Sequence, residues 1–161
     1  SDIRSTEKNY QLLHQLSGRA GRFEDNALVI LQSYENNNKL VNALSNEDIF
    51  KFYKEELNFR KKAYLPPYSK LISFIISGNN KFTVERNSIM IKKLIPKNDY
   101  LKIYGPVSAP ISKIKSNFRS RILIKYSTKI RPQKLLKETV EKMKNFKNIK
   151  VEIDVDPINF M

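Results

Sequence analysis

Cysteine and tryptophan are absent from the 161 residues, histidine occurs once and glycine four times. Without cysteine there is no disulfide framework and no thiolate zinc site, and the chain suits a reducing compartment. The single histidine, His14, has no companion near it in sequence, which argues against metal or nucleophile chemistry built on it. No G-x-x-x-x-G-K-[ST] string can be assembled from the four glycines, so no phosphate-cradling loop is encoded here. The longest apolar stretches, such as Leu71-Ile72-Ser73-Phe74-Ile75-Ile76, are far too short to cross a bilayer. Residues 1–7 hold no signal-peptide core. The expectation is a soluble protein of the cytoplasm, with no metal site and no membrane partner.

Acidic residues are scarce only in part of the chain. The formal net charge is +14, yet residues 1–45 carry five Lys/Arg against five Asp/Glu. Residues 66–161 carry twenty against seven. A basic segment beside a neutral one is the electrostatic footprint of a polyanion binder.

Hydrophobic periodicity divides the chain into three parts. In 1–45, a helix is expected over 5–17, capped by Ser5 or Thr6, with Tyr10, Leu12, Leu13 and Leu16 as its apolar stripe. Gly18-Arg19-Ala20-Gly21-Arg22 should break it. The continuous run Ala27–Ser33 reads as a strand buried on both faces, as in a parallel sheet. In 46–67, a second helix spans 46–63. Ser45 or Asn46 caps it, Glu47 and Asp48 open it, and Arg60, Lys61 and Lys62 close it. Pro66-Pro67 forms a hinge. In 68–161, strands at 70–77, 100–104, 118–126 and 149–155 alternate with helices at 82–95 and 132–146. A rigid loop is expected over Gly105–Pro110. The order βαββαβ is that of a ferredoxin-like domain, so the expected class is α+β.

One segment carries chemistry. Gln15-Leu16-Ser17-Gly18-Arg19-Ala20-Gly21-Arg22 reads Q-x-x-G-R-x-G-R. In phosphoryl transfer the charge on the γ-phosphate is neutralised partly by groups from outside the phosphate loop, and an arginine finger is worth ~10³–10⁵ in rate. Two guanidiniums three residues apart on a glycine-flanked turn are placed to reach one phosphate chain.

This segment resembles motif VI of superfamily 2 helicases, which ends their second RecA-like lobe. The resemblance implies that Arg22 is the arginine finger. It implies that Gln15, Gly18 and Arg19 face the nucleotide or couple the lobes. It also implies ATP and Mg²⁺ for a longer protein whose phosphate loop lies elsewhere, so this chain alone is expected to turn over no ATP. The flanking residues narrow the family: Asp2-Ile3-Arg4, Glu7, Glu56, Arg60, Tyr64-Leu65-Pro66-Pro67-Tyr68, Gly105-Pro106, Ala109-Pro110, Phe118-Arg119 and Asp154-Val155-Asp156-Pro157. In this order they look like the C-terminal part of the primosomal protein N′ (PriA) family of replication-restart helicases. That family implies 3′→5′ unwinding of DNA at abandoned forks and primosome assembly. Its partners are branched or single-stranded DNA, single-stranded-DNA-binding protein and other primosome proteins. Its zinc sites lie upstream of this stretch.

Alternation also predicts faces. On 118–126, Phe118, Ile122, Ile124 and Tyr126 should point to the helices, and Arg119, Arg121, Leu123 and Lys125 to the open side. On 100–104, Tyr100, Lys102 and Tyr104 should share that open side. Lys113 and Lys115, expected in the loop between the strands, extend the track. Cations hold phosphates and tyrosines stack on unpaired bases, so this set is the candidate DNA site. Lys129, Arg131 and Gln133 cluster at the start of the last helix, where free N–H groups favour an anion. In the resembling family this region receives the acidic tail of single-stranded-DNA-binding protein, and Lys129 and Gln133 match its positions. Two other readings stand beside the helicase one. The first is a stand-alone RNA- or DNA-binding ferredoxin-like module with a chance GRxGR. The second is a scaffold that braces a motor.

Overall fold

The computed structural model describes residues 4–20, 28–35, 38–46, 48–114 and 116–158, with backbone alone at 110–114 and 135. The chain forms two compact units, Ser1–Ala63 and Tyr64–Met161.

Among the described residues, the first unit holds three helices, α1 (Ser5–Ala20), α2 (Lys39–Ser45) and α3 (Ile49–Lys62). Its core is aromatic. Tyr10 of α1 stacks on Phe52 of α3 at 4.7 Å between ring centroids, with Ala43 of α2 buried in the same cluster. The Asn38 side chain caps α2 by accepting from the Leu40 and Val41 amides, and Asp48 caps α3 by accepting from Lys51. Arg60, Lys61 and Lys62 close α3 against the negative end of its dipole.

Several expectations are corrected here. Helix α1 does not break at Gly18 but runs on through Ala20. Nothing lies within 4 Å of where a side chain at Gly18 would begin, so that glycine costs the exposed helix only its entropy. The stripe is narrower than expected: Tyr10 is buried, while Leu12 and Leu16 are exposed. Helix α2 was not foreseen, and the cap of α3 is Asp48 rather than Ser45 or Asn46. Residues 28–33 form no strand. A strand buried on both faces needs a neighbour on each side. Among the described residues of this unit there is none, and Leu28 and Ile30 are both 81% exposed.

The second unit is mixed α/β. It runs β1 (Lys70–Gly78), α4 (Lys81–Leu94), β2 (Leu101–Ile114), β3 (Asn117–Tyr126), α5 (Pro132–Met143) and β4 (Lys150–Val155). The four strands pair antiparallel in the order β2-β3-β1-β4. Ile72, Phe74 and Ile76 of β1 and Ile122, Ile124 and Tyr126 of β3 meet Val84, Ile91, Leu136 and Met143 of the two helices in one core. Both helices therefore lie on one face of the sheet, and neither covers the other face. Asn80 caps α4 through the Thr83 amide, and Pro132 occupies the first turn of α5, where its missing N–H costs nothing.

Strand β2 differs most from expectation. It continues through the expected Gly105–Pro110 loop to Ile114, so Lys113 lies in a strand paired with Phe118. Two irregularities, between Tyr104 and Val107 and between Ser108 and Lys113, absorb the extra residues. A bulged edge strand is where a sheet tolerates proline. Gly105 has φ +86°, and a Cβ there would sit 2.6 Å from the Arg121 carbonyl, so this bulge requires glycine. Among the described residues no helix is long and apolar enough to cross a membrane.

Candidate nucleic-acid interface

The register of the second unit sets out its open face row by row. Lys102 of β2 lies opposite Lys125 of β3, which lies opposite Leu71 of β1. The next row runs Tyr104, Leu123, Ser73 and Asp154. The third runs Val107, Arg121, Ile75 and Glu152, and the fourth Arg119, Ser77 and Lys150. The core residues of β3 occupy the alternate positions, so the side-chain period of two puts these rows on one surface.

The β2–β3 half of that surface carries the expected cations. Lys102 and Tyr104 are exposed, and Arg119 and Lys125 are half-buried. The Lys125 ammonium stands 5.5 Å from the centroid of the Tyr104 ring, a cation–π contact across the diagonal of the ladder. Tyr100 is exposed but sits in the turn before β2, where the Asn98 side chain accepts from its amide at 2.8 Å. It flanks the face rather than standing in a strand. The side chain of Lys113 and all of Lys115 lie outside the described residues.

Arg121 differs from its neighbours. It is only 8% exposed, and its Nε and Nη1 have no hydrogen-bond partner. Burial lowers its pKa from the ordinary arginine value. The nearby charge of Arg119 lowers it further, and Asp154 opposes both. A buried unpartnered donor costs about 1–3 kcal/mol, and more when charged. The face also holds acids that the sequence reading did not assign to it. Glu152 and Asp154 project from β4, and Glu152 pairs with Lys150 at 2.6 Å. Alternation along Lys150–Val155 carried the signal for them.

In the first unit, Gln15, Gly18 and Arg19 stand at i, i+3 and i+4 near the end of α1. They share one exposed helix face. Arg22 lies outside the described residues. His14 stacks on Tyr10 at 5.9 Å and so serves packing. Among the described residues no group of three His, Cys, Asp or Glu is placed to hold a metal ion.

The third predicted cluster surrounds the entry to α5. Lys129, Arg131 and Gln133 are all exposed there. The Lys129 amide donates to the Ser127 hydroxyl at 3.2 Å, and Arg131 takes the N-cap position without a side-chain capping bond.

The family described as Primosomal protein N C-terminal domain matches residues 61–158. A Replication restart protein PriA of Rickettsia felis is 38% identical over 160 residues, covering 99% of this chain and 24% of the relative. Proteins of the same description from Synechocystis and Bacillus subtilis are 32% and 33% identical, again over 99% of this chain. The chain thus spans about a quarter or less of the length of the curated relatives it matches.

Proposed function

The chain belongs to the primosomal protein N C-terminal domain family, and we propose that it is the terminal part of a replication-restart DNA helicase, with a sheet face that holds single-stranded DNA. The observation that carries this reading is the pairing of cations and tyrosine on adjacent strands. Lys102, Lys125 and Arg119 supply charge for phosphates, and Tyr104 supplies a flat surface for a base. The βαββαβ order with strands arranged β2-β3-β1-β4 supports reading this unit as ferredoxin-like, a fold in which one sheet face stays free of helices.

The first unit reads as the end of a RecA-like lobe. Gln15, Gly18 and Arg19 line one face of α1, so the helix presents a polar, cationic edge to ATP, the substrate of such a motor. Arg22 is the finger. The exposed apolar run at 28–33 is what a lobe strand looks like when its neighbours are not beside it. ATP turnover belongs to the longer protein, whose phosphate loop supplies Mg²⁺ binding and the base of the site. Branched DNA, single-stranded-DNA-binding protein and other primosome proteins are the partners of this reading, and the cytoplasm its compartment.

The deciding experiment is a titration of labelled single-stranded oligonucleotide at two salt concentrations. Replacing Arg119 and Arg121 together by Ala weakens binding and flattens the salt dependence, because each lost phosphate contact removes a released counterion. If the double variant binds like the parent, the open face instead packs against protein, as in the motor-bracing scaffold.

A further inference from the structure

Three buried side-chain polar atoms have no hydrogen-bond partner among the described residues: the hydroxyl oxygen of Ser73 and Nε and Nη1 of Arg121. They are not scattered. Ser73 on β1 lies opposite Leu123 of β3, and Arg121 on β3 lies opposite Ile75 of β1. The two are therefore diagonal neighbours on adjacent strands of the open face, ~7–8 Å apart at the backbone and within an arginine's reach. Ser73 is 1% exposed and Arg121 8%. The residues directly opposite them, Leu123 and Ile75, are half-buried.

A guanidinium at this depth normally holds a carboxylate. Asp154, opposite Ser73 on the far side of β1, acts on Arg121 through its charge but forms no ion pair with it. The chemistry left open is specific. The Nε–H and Nη1–H groups of Arg121 and the Ser73 hydroxyl are each left without a partner, with no acceptor-only group among them. A charged, acceptor-rich group satisfies the hydroxyl together with one edge of the guanidinium, and charge-assisted bonds to a guanidinium are the strong ones. The surrounding cations, Lys102, Arg119 and Lys125, favour an anion at that point. Of the β4 carboxylates, Glu152 is held by Lys150 and Asp154 makes no ion pair with Arg121, so the anion that fits is one from outside the chain, and a phosphate is such a group.

We propose that Ser73 and Arg121 form a seat for one phosphodiester group of single-stranded nucleic acid, fixing the register of the strand on the face. This rests on the reading of the face as a nucleic-acid surface, and it adds a residue, Ser73, that no charge or motif singles out. Lys102, Arg119 and Lys125 attract the strand from a distance. Ser73 and Arg121 recognise a phosphate at contact.

The test separates contact from attraction. An oligothymidylate is titrated by fluorescence anisotropy against the parent chain and Ser73→Ala, Arg121→Lys and Arg119→Ala, with thermal melts of each. Ser73→Ala is expected to weaken binding about 5-fold, the loss of one hydrogen bond, with the salt slope unchanged because no charge is removed. Its melting midpoint stays level or rises, since an unpartnered hydroxyl is not a stabilising one. Arg121→Lys keeps the charge and is expected to lose about 10-fold, because an ammonium lacks the planar donor set. If Ser73→Ala binds as the parent does while Arg119→Ala binds more weakly, the seat is wrong and the face reading stands. If the parent binds no oligothymidylate, both fall. Inorganic phosphate is the second arm, followed through the Arg121 Nε–H resonance. A shift that only the oligonucleotide produces supports the seat, and a shift that inorganic phosphate saturates alone overturns its assignment to a nucleic-acid strand.

Discussion

Arg60, in the last turn of α3, donates from Nη2 to Glu7 of α1 at 2.8 Å and from Nε to Glu56 one turn earlier at 2.9 Å. One buried guanidinium thus ties together the helix that carries Gln15, Gly18 and Arg19 and the helix that ends the first unit. Removing one partner of a buried pair costs about 3–5 kcal/mol, because the other charge is left stranded. Arg60→Ala leaves two carboxylates facing each other and is expected to fall in that range, and Glu7→Gln below it, since Glu7 is closer to solvent. Urea unfolding followed by circular dichroism checks both. A loss under about 1 kcal/mol for Arg60→Ala would mean the network behaves like a screened surface pair.

Tyr126 predicts an alkaline limit to stability. It is 3% exposed in the core of the second unit, and burial, then the charge of Asp156, raise its phenol above the ordinary value of 10.0. The unfolded chain therefore loses this proton at lower pH than the folded one. The contribution is complete below the unfolded value and is lost as pH rises from there through the folded value. Tyr126→Phe keeps the packing and removes the proton. Its melting midpoint should fall less steeply than the parent's between about pH 9 and about pH 11. Parallel curves for the two proteins would rule out Tyr126 as the titrating group.

The order of elements in the second unit was legible in the sequence because local signals agreed there. Phe118, Ile122, Ile124 and Tyr126 alternate with Arg119, Arg121, Leu123 and Lys125, Pro132 opens a helix, and Pro96 follows one. The length of β2 was not legible. Gly105, Pro106 and Pro110 are turn residues by composition, and only pairing with β3 shows that bulges carry the strand past them. In the first unit the run at 28–33 has the pattern of a buried strand, but pattern does not supply the neighbours that make one. Of the open face, alternation placed Arg119, Arg121 and Lys125 together. Ser73 stayed hidden because its importance lies in a missing partner, which sequence does not record.

Tyr104 and Lys125 separate stacking from charge. The ammonium lies over the ring, so the two side chains present one composite surface. Stacking on a base is worth ~1–3 kcal/mol and involves no counterion. Tyr104→Ala is therefore expected to weaken oligonucleotide binding about 5- to 100-fold with little change in the salt slope. Lys125→Ala should cost less at moderate salt and reduce the slope by about 0.7, the single-strand value for one phosphate. Anisotropy titrations at three salt concentrations measure both quantities. If Tyr104→Ala changes the slope and Lys125→Ala does not, the ring is orienting the cation rather than stacking.

The entry to α5 predicts a separate partner contact. Arg131 caps the helix without a side-chain bond, and Lys129, Arg131 and Gln133 stand exposed around the first turn. The positive end of the helix dipole and two cations suit a carboxylate, and an acidic peptide ending in a free carboxylate supplies several. Lys129→Glu is expected to weaken such a peptide at least 10-fold, since it replaces an attraction with a repulsion, while Lys129→Ala costs a few-fold. Gln133→Ala is the sharper probe: it changes no charge, so a loss there requires a defined contact. The control is a scrambled peptide of equal charge. If it binds as tightly as the original, and Gln133→Ala has no effect on either, the helix entry attracts acids without recognising one. If the oligonucleotide competes with the peptide, the two surfaces are one site, and the assignment of Lys129, Arg131 and Gln133 to a protein partner fails.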